Sequence, residues 1–356
     1  MNVFMKSILC GAALIGSSTM SLACTGISLT AKDGSYVQAR TIEWAYGAVL
    51  KSEYVVIPRG ERLRSYTPSG DDGLHFSAKY GVVGLSVEVK EFIAEGVNEA
   101  GLSAGLFFFP GYGGYEPFDA TRSDITLADM QVVQWMLTQF ASIDELIASI
   151  DGVRIVALVD SAVLHWRIGE QSGRQVVMEI VDGKPRFYEN RVGVLTNAPG
   201  FEWHVTNLNN YVSLRPGSAD SYQLGDVTLK PLGGGSAMHG LPGDFTSPSR
   251  FVRAAFFRNT AHQQADGYST VLQCFHILNN FDVPMAVENP QNTALCSATQ
   301  WTSAIDLKSL KVYYKTQANN SIRCIDLGAI DFERVAYQAH LLDSEPVQPI
   351  EYITIG

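Results

Sequence analysis

Cys24 has the most chemical reach of any residue in this chain, because the segment before it reads as a removable export signal whose loss leaves that cysteine first. Lys6 gives a positive start, Ile8 to Ile15 an apolar stretch, and Ser21-Leu22-Ala23 the small-x-small end at which signal peptidase cuts. Cutting after Ala23 places a thiol and an α-amine on one residue. The amine, with an unperturbed pKa of about 8, stays partly neutral near physiological pH and can take the thiol proton, so nucleophile and base arrive together. The competing reading is a lipoprotein cysteine, acylated at both sulfur and nitrogen and therefore inert. Such signals place an aliphatic residue three before the cysteine; here that position holds Ser21 and the leucine follows it, which favours a free Cys24.

The elements that must carry this residue are read from hydrophobic spacing. Short β-rich runs dominate the first hundred residues: Thr25 to Thr30, Ser35 to Arg40, Glu53 to Pro58, Tyr80 to Val87 and Leu102 to Phe109. Lys32-Asp33-Gly34 and Asn98-Glu99-Ala100-Gly101 punctuate them as turns between antiparallel neighbours. Helical spacing appears from Ile125 to Phe140, and Ser142-Ile143-Asp144-Glu145 opens a second helix. Strands resume through Arg154 to Val159, Leu164 to Ile168, Gln175 to Val181 and Val192 to Leu195. Helices return at Pro248 to His262 and Tyr268 to Asn279, with final strands near Thr302 to Leu307, Lys311 to Thr316 and Ile322 to Leu327. The order lacks regular βαβ alternation, so the expected fold is α+β, a four-layer αββα sandwich of two packed sheets between helical layers. No linker or repeat divides it, giving a signal over 1–23 and a single domain over 24–356.

Five separated motifs carry a resemblance. Cys24-Thr25-Gly26, Arg40-Thr41-Ile42-Glu43-Trp44, Gly96-Val97-Asn98-Glu99-Ala100-Gly101-Leu102, Val194-Leu195-Thr196-Asn197-Ala198-Pro199 with Trp203-His204, and Met238 to Asp244 with Ser247-Pro248-Ser249-Arg250-Phe251 occur in one order across the chain after the leader. Together they resemble the choloylglycine hydrolases, the bile salt hydrolases and penicillin V acylases that are cysteine members of the N-terminal nucleophile hydrolases.

That resemblance implies a role for each matched residue. Cys24 attacks the amide carbonyl through an acyl-thioester while its own amine shuttles the proton. Arg40 matches the family arginine whose permanent charge favours thiolate over thiol. Asn197 matches the asparagine whose NH₂ donates to the tetrahedral oxyanion. Arg250 matches a second active-site arginine, near the first turn of a helix. Two positions depart from the family. Glu43 stands where aspartate is usual, as acceptor for the nucleophile's amine, and its added methylene requires the carboxylate to fold back or the backbone to shift. Phe107 stands where asparagine or tyrosine is usual; its backbone N–H is expected to serve the oxyanion hole and its ring a greasy pocket wall, with two of the rings Phe107 to Phe109 alternating into the core. The family further implies hydrophobic acyl groups joined to polar amines, as in glycine- and taurine-conjugated bile salts, with penicillin V or acyl-homoserine lactones as the alternatives. It also implies a homotetramer assembled through about Asn210 to Gly235.

Other classes are weighed against this one. Gly101-Leu102-Ser103-Ala104-Gly105 satisfies the nucleophile-elbow pattern of serine hydrolases, but Leu106 to Phe109 continue as strand where the elbow needs a helix. A periplasmic binding protein would share the pocket without the chemistry. The formal charge is −10, and −11 once Lys6 leaves with the signal; with no basic run, this disfavours nucleic acid and anionic membrane surfaces. After the leader no apolar stretch reaches the roughly 18 residues that span a bilayer, so no membrane anchor is expected and the product is read as periplasmic or secreted. The histidines form no ligand-spaced cluster, His239 reads as structural, and Gly233-Gly234-Gly235 lacks the lysine of a phosphate loop, so no metal and no cofactor are implied. Cys274, Cys296 and Cys324 are expected to be buried, with a disulfide among them left open.

Overall fold

A computed structural model describes residues 23–45, 50–158, 163–284 and 297–355. The leader before Ala23, Val159 and Cys296 lie outside the described residues.

The chain opens with β1 (Cys24–Thr30) and β2 (Tyr36–Ala45), an antiparallel hairpin in which Cys24 faces Ile42 and Gly26 faces Arg40. Its turn needs Gly34, whose φ of 85° lies in the left-handed region that side chains resist. The other strands of the two large sheets are β3 (Ser52–Ile57), β4 (Val82–Val87), β5 (Val89–Asn98), β6 (Leu102–Phe108), β7 (Leu164–Glu170), β8 (Gln175–Val181), β9 (Lys184–Glu189), β10 (Val194–Leu195), β11 (Ser297–Asp306), β12 (Lys311–Thr316), β13 (Arg323–Asp326) and β14 (Gln338–Leu341). One six-stranded sheet runs β10-β1-β2-β11-β12-β13, and an eight-stranded sheet runs β9-β8-β7-β6-β5-β4-β3-β14. All pairings in both are antiparallel.

The sheets stack with helices outside. α1 (Val132–Gln139) packs on β5 and β6 of the larger sheet, whereas α4 (Ser247–Thr260) and α5 (Gly267–Leu278) pack on β1, β2 and β11 of the smaller one. Two shorter helices, α2 (Ile143–Ser149) and α3 (Phe201–Asn207), lie between α1 and α4 in sequence. This is the expected four-layer αββα arrangement. Strands covered on both faces lose the alternation that marks a half-exposed sheet, and β4, β6 and β8 are buried almost end to end. Ser142 caps α2 by accepting from the Glu145 N–H, and Asp266 caps α5 by accepting from the Ser269 N–H.

Two stretches fold differently from their local pattern. The expected helix from Ile125 begins as a short strand, Thr126–Ala128, paired in parallel with Arg154–Val156, and becomes α-helical only at Val132. Asp129 explains the break: its Oδ1 accepts from the Met130 and Leu158 N–H groups, a turn bond and a long-range bond that an uninterrupted helix would not provide. β5 was not evident as a strand, because Glu91 and Glu95 interrupt its apolar run; its pairing with β4 and β6 and the burial of Glu95 between the sheets define it.

Candidate active site

Cys24, Arg40, Glu43, Asn197 and Arg250 come from β1, β2, the loop after β10 and the start of α4, and the fold gathers them at one end of the smaller sheet. Cys24 is buried at the first position of β1. Its N–H donates to Asn197 Oδ1 at 2.8 Å, and its carbonyl accepts from Arg250 Nη1. Arg250 Nη2 donates to the same Asn197 Oδ1 at 2.7 Å, and Arg250 Nη1 also donates to Thr25 Oγ1 at 2.9 Å. Two donors converging on one atom identify it as the amide oxygen, so Asn197 Nδ2 is the atom that donates to the Phe108 carbonyl at 2.8 Å. One of its two N–H bonds is thereby used and the other is free.

The loop holding Asn197 is itself pinned. Ser247 Oγ, at the start of α4, accepts from the Asn197 N–H at 2.9 Å. His204 on α3 donates from Nε2 to the Asn197 carbonyl at 2.9 Å, and burial pushes its pKa down to about 4, so the ring is neutral at physiological pH. His165 on β7 places Nε2 3.0 Å from the Thr196 carbonyl and Nδ1 3.3 Å from Glu179 Oε1, while the same Glu179 oxygen accepts from the Phe201 N–H at 2.8 Å. His165 stacks on Phe109 at 4.4 Å and His204 on Phe251 at 4.6 Å.

Side-chain alternation divides the charges between the two faces of β2. Arg40 and Ile42 share the face of Cys24 and Gly26, toward the larger sheet, and Thr41 and Glu43 share the other. Arg40 reaches across the interface to the Ala94 carbonyl at 3.1 Å and the Leu106 carbonyl, fully buried. Glu43 receives a hydrogen bond at 3.1 Å from Thr299 Oγ1, whose hydroxyl proton is directed there because its oxygen accepts from the Val283 N–H at 2.9 Å. A β-bulge between Thr299 and Trp301 sets Thr299 opposite Glu43. Glu43 Oε2 is buried without a hydrogen-bond partner among the described residues.

Burial pushes the Cys24 thiol above its ordinary pKa; Arg40 is the largest opposing influence, Glu43 adds to the rise, and Arg250 and the Phe108 N–H also lower it. Burial likewise raises Glu43 to about 7, against the pull of Arg250, Thr41 and Arg40. A cysteine and a carboxyl titrating out of their usual ranges beside two fixed cations mark a site built for chemistry.

Phe107 is the one candidate placed elsewhere. Its ring is fully buried between the sheets, 4.2 Å from the Arg40 guanidinium carbon. The backbone N–H directed at the Cys24 sulfur is that of Phe108, one residue on, because strand alternation turns Phe107 and Phe109 inward and leaves Phe108 half-buried. The serine-elbow reading of Ser103 is not met: Ser103 is buried near the start of β6, which runs on to Phe108, and its hydroxyl donates to Gln38 Oε1. It occupies no strand-to-helix turn. Cys324 is exposed on the edge strand β13, not buried as expected; Cys24, Cys274 and Cys324 are free thiols.

Residues 24–339 match the family model described as linear amide C-N hydrolases, choloylglycine hydrolase family. The chain belongs to the choloylglycine hydrolase family. It is 33% identical over 312 residues to a bile salt hydrolase/transferase from Clostridium perfringens, covering 85% of this chain and 92% of that one. It is 26% identical over 380 residues to a penicillin V acylase from Pectobacterium atrosepticum, covering 99% and 94%. Among solved structures, a variant of the conjugated bile acid hydrolase from Clostridium perfringens superposes with a TM-score of 0.80 at 29% identity, covering 93% of this chain and 100% of that chain. The penicillin V acylase from Agrobacterium tumefaciens, at 23% identity, shares the fold with a TM-score of 0.71. This chain is therefore a linear amide hydrolase on the N-terminal nucleophile fold. Glu95, Arg167, Thr299, His165 and Phe108 had no sequence signal of their own. Gly26 and Gly105 did carry one, since a glycine inside a strand marks a close approach by another group.

Proposed function

We propose that the chain is exported to the periplasm or beyond, that its leader is removed after Ala23, and that residues 24–356, as one catalytic domain, hydrolyse amides joining an apolar acyl group to a polar amine. Glycine and taurine conjugates of bile acids are the proposed substrates, in keeping with the identity to the Clostridium perfringens relative. The observation that carries this reading is the seat of the Cys24 nitrogen, held at 2.8 Å by Asn197 Oδ1 in the buried site. With Ala23 attached, that nitrogen is an amide whose lone pair is delocalised and cannot take a proton. Removing Ala23 converts it into an amine, which Asn197 Oδ1 then holds beside the thiol as a base.

In this mechanism Cys24 Sγ attacks the substrate carbonyl while its amine takes the thiol proton. The Phe108 N–H and the free N–H of Asn197 Nδ2 donate to the oxyanion. The amine returns the proton to the leaving nitrogen, the C–N bond breaks, and an acyl-thioester remains. Water, deprotonated by the same amine, cleaves the thioester and restores the thiol. Arg250 keeps the Cys24 carbonyl and Asn197 Oδ1 in one geometry throughout.

We further propose a homotetramer assembled through about Asn210 to Gly235, where the ribbon Tyr222–Leu224 and Val227–Leu229 exposes Tyr222, Leu224, Val227 and Leu229. The test is intact-mass analysis of the exported protein together with an amidase panel of glyco- and taurocholate, phenoxymethylpenicillin and long-chain acyl-homoserine lactones. A mature N-terminus at an unmodified Cys24 and bile-salt turnover support the reading. A lipid-modified or differently placed N-terminus refutes the mechanism, and exclusive turnover of another member of the panel refutes the substrate. Light scattering checks the assembly.

A further inference from the structure

Beneath the Cys24 thiol the two sheets enclose charged side chains that the mechanism above does not use. Glu95 on β5 sets Oε1 2.7 Å from Arg167 Nη2 and Oε2 3.8 Å from Arg40 Nη1. All three side chains are at most 1% exposed. Arg167 Nη1 also donates to the Ile27 and Ala39 carbonyls of the opposite sheet, at 3.1 and 3.0 Å. The Phe107 ring lies against both guanidiniums, 4.2 Å from that of Arg40 and 5.6 Å from that of Arg167.

The backbone makes room for this cluster. A Cβ at Gly26 would stand 2.8 Å from Arg167 Nη1 and 2.8 Å from Phe107 Cζ, and one at Gly105 would stand 2.0 Å from Glu95 Oε2. Two cations share one anion, which leaves a net charge of +1 where water does not reach. Arg40 Nη2 is buried with no hydrogen-bond partner among the described residues, and Cys24 lies on the same face of the β1–β2 hairpin.

We propose that Arg167 acts on the reaction through Glu95: by engaging that carboxylate it leaves the charge of Arg40 to Cys24, whose ionisation neutralises the buried cluster. The proposal rests on Cys24 being the nucleophile. Arg167 and Glu95 are positioning residues and touch no substrate. The other charged or titratable side chains around the thiol are Glu43 on the far face of β2, Arg250 on α4, and His165, Glu179 and His204 behind the Asn197 loop. The variants below leave all of these in place.

The experiment measures the pH dependence of Cys24 alkylation by iodoacetamide in the processed protein, read by mass spectrometry, with circular dichroism to verify folding. Glu95→Gln leaves a charge of +2 and lowers the alkylation midpoint by about one pH unit, a roughly tenfold faster reaction on the acidic limb. Arg167→Met leaves zero and raises the midpoint by about as much. The double variant restores +1 and keeps the wild-type midpoint. Each variant that folds decides by itself. A midpoint unmoved or raised in Glu95→Gln, unmoved or lowered in Arg167→Met, or displaced by more than about half a unit in the double variant overturns the proposal. Cys24→Ala separates the two claims: retained hydrolysis there removes the nucleophile itself, whereas an inactive Cys24→Ala with unmoved midpoints elsewhere removes only the role of the cluster.

Discussion

Substituting Gly26 by alanine tests the buried interface with one methyl group. The new Cβ meets Arg167 Nη1 at 2.8 Å, Phe107 Cζ at 2.8 Å and Phe107 Cε1 at 3.1 Å, where relaxed contacts begin at about 3.4 Å. Neither neighbour can retreat cheaply. Arg167 is tied to Ile27, Ala39 and Glu95 at 3.1, 3.0 and 2.7 Å, and Phe107 is fully enclosed. Overpacking of this kind costs about 1–3 kcal/mol, and loosening one hydrogen bond to a charged group adds about 1.5–3 kcal/mol. The expected loss is therefore about 2.5–6 kcal/mol, a large part of the stability of an ordinary domain. Gly152→Ala is the control, because nothing stands within 4 Å of its added methyl and its φ is not positive; it is expected to be neutral or slightly stabilising. Urea denaturation followed by circular dichroism measures both. A Gly26→Ala midpoint indistinguishable from wild type would show that the interface is not packed as described.

Glu43→Gln is expected to depress turnover sharply while the fold remains, and steady-state kinetics on a bile-salt conjugate check it. The same variant has a pH-dependent stability. Glu43 holds its proton up to about pH 7 in the fold but only to 4.5 in its ordinary state, so the native state binds the extra proton between these values and loses up to ~3 kcal/mol as pH rises through them. Glutamine escapes that loss, so its advantage over wild type should be absent at pH 4 and near its maximum at pH 8; equal differences at both would contradict the burial of the carboxyl. Asn197→Ala removes one oxyanion donor and should lower kcat about 10²–10³-fold, with a merely raised KM counting against that role. Ser103→Ala should leave kcat unchanged and cost ~1–3 kcal/mol through the stranded Gln38; loss of turnover in a stable Ser103→Ala protein would revive the serine hydrolase reading.

Much of the fold was legible because its signals are local. The turn at Gly34, the helix start at Ser142 and apolar runs such as Gln175–Val181 depend on a few neighbours, and they appear where their spacing places them. Where a segment's partner is distant, the local pattern was insufficient. β5 is polar at its start and carries Glu95, so its strand character comes from β4 and β6 beside it. Thr126–Ala128 looks helical in isolation and is a strand because Arg154–Val156 lies against it.

The candidate site divides in the same way. The export-signal pattern was enough to name Cys24, and the motifs that resemble the family were enough to name Arg40, Glu43, Asn197 and Arg250, which no local pattern would have singled out alone. Which atom faces which is a property of the packed sheets. The half-turn between successive strand residues assigns the thiol-facing N–H to Phe108 and buries the Phe107 ring, and only the register of β6 against β7 settles that parity. The Arg40, Glu95 and Arg167 cluster spans 127 residues of sequence and exists solely where the sheets meet. Sequence supplied the reactive groups; the tertiary structure decided their charge balance, because burial and distance set electrostatic energies and neither is encoded by any short stretch of chain.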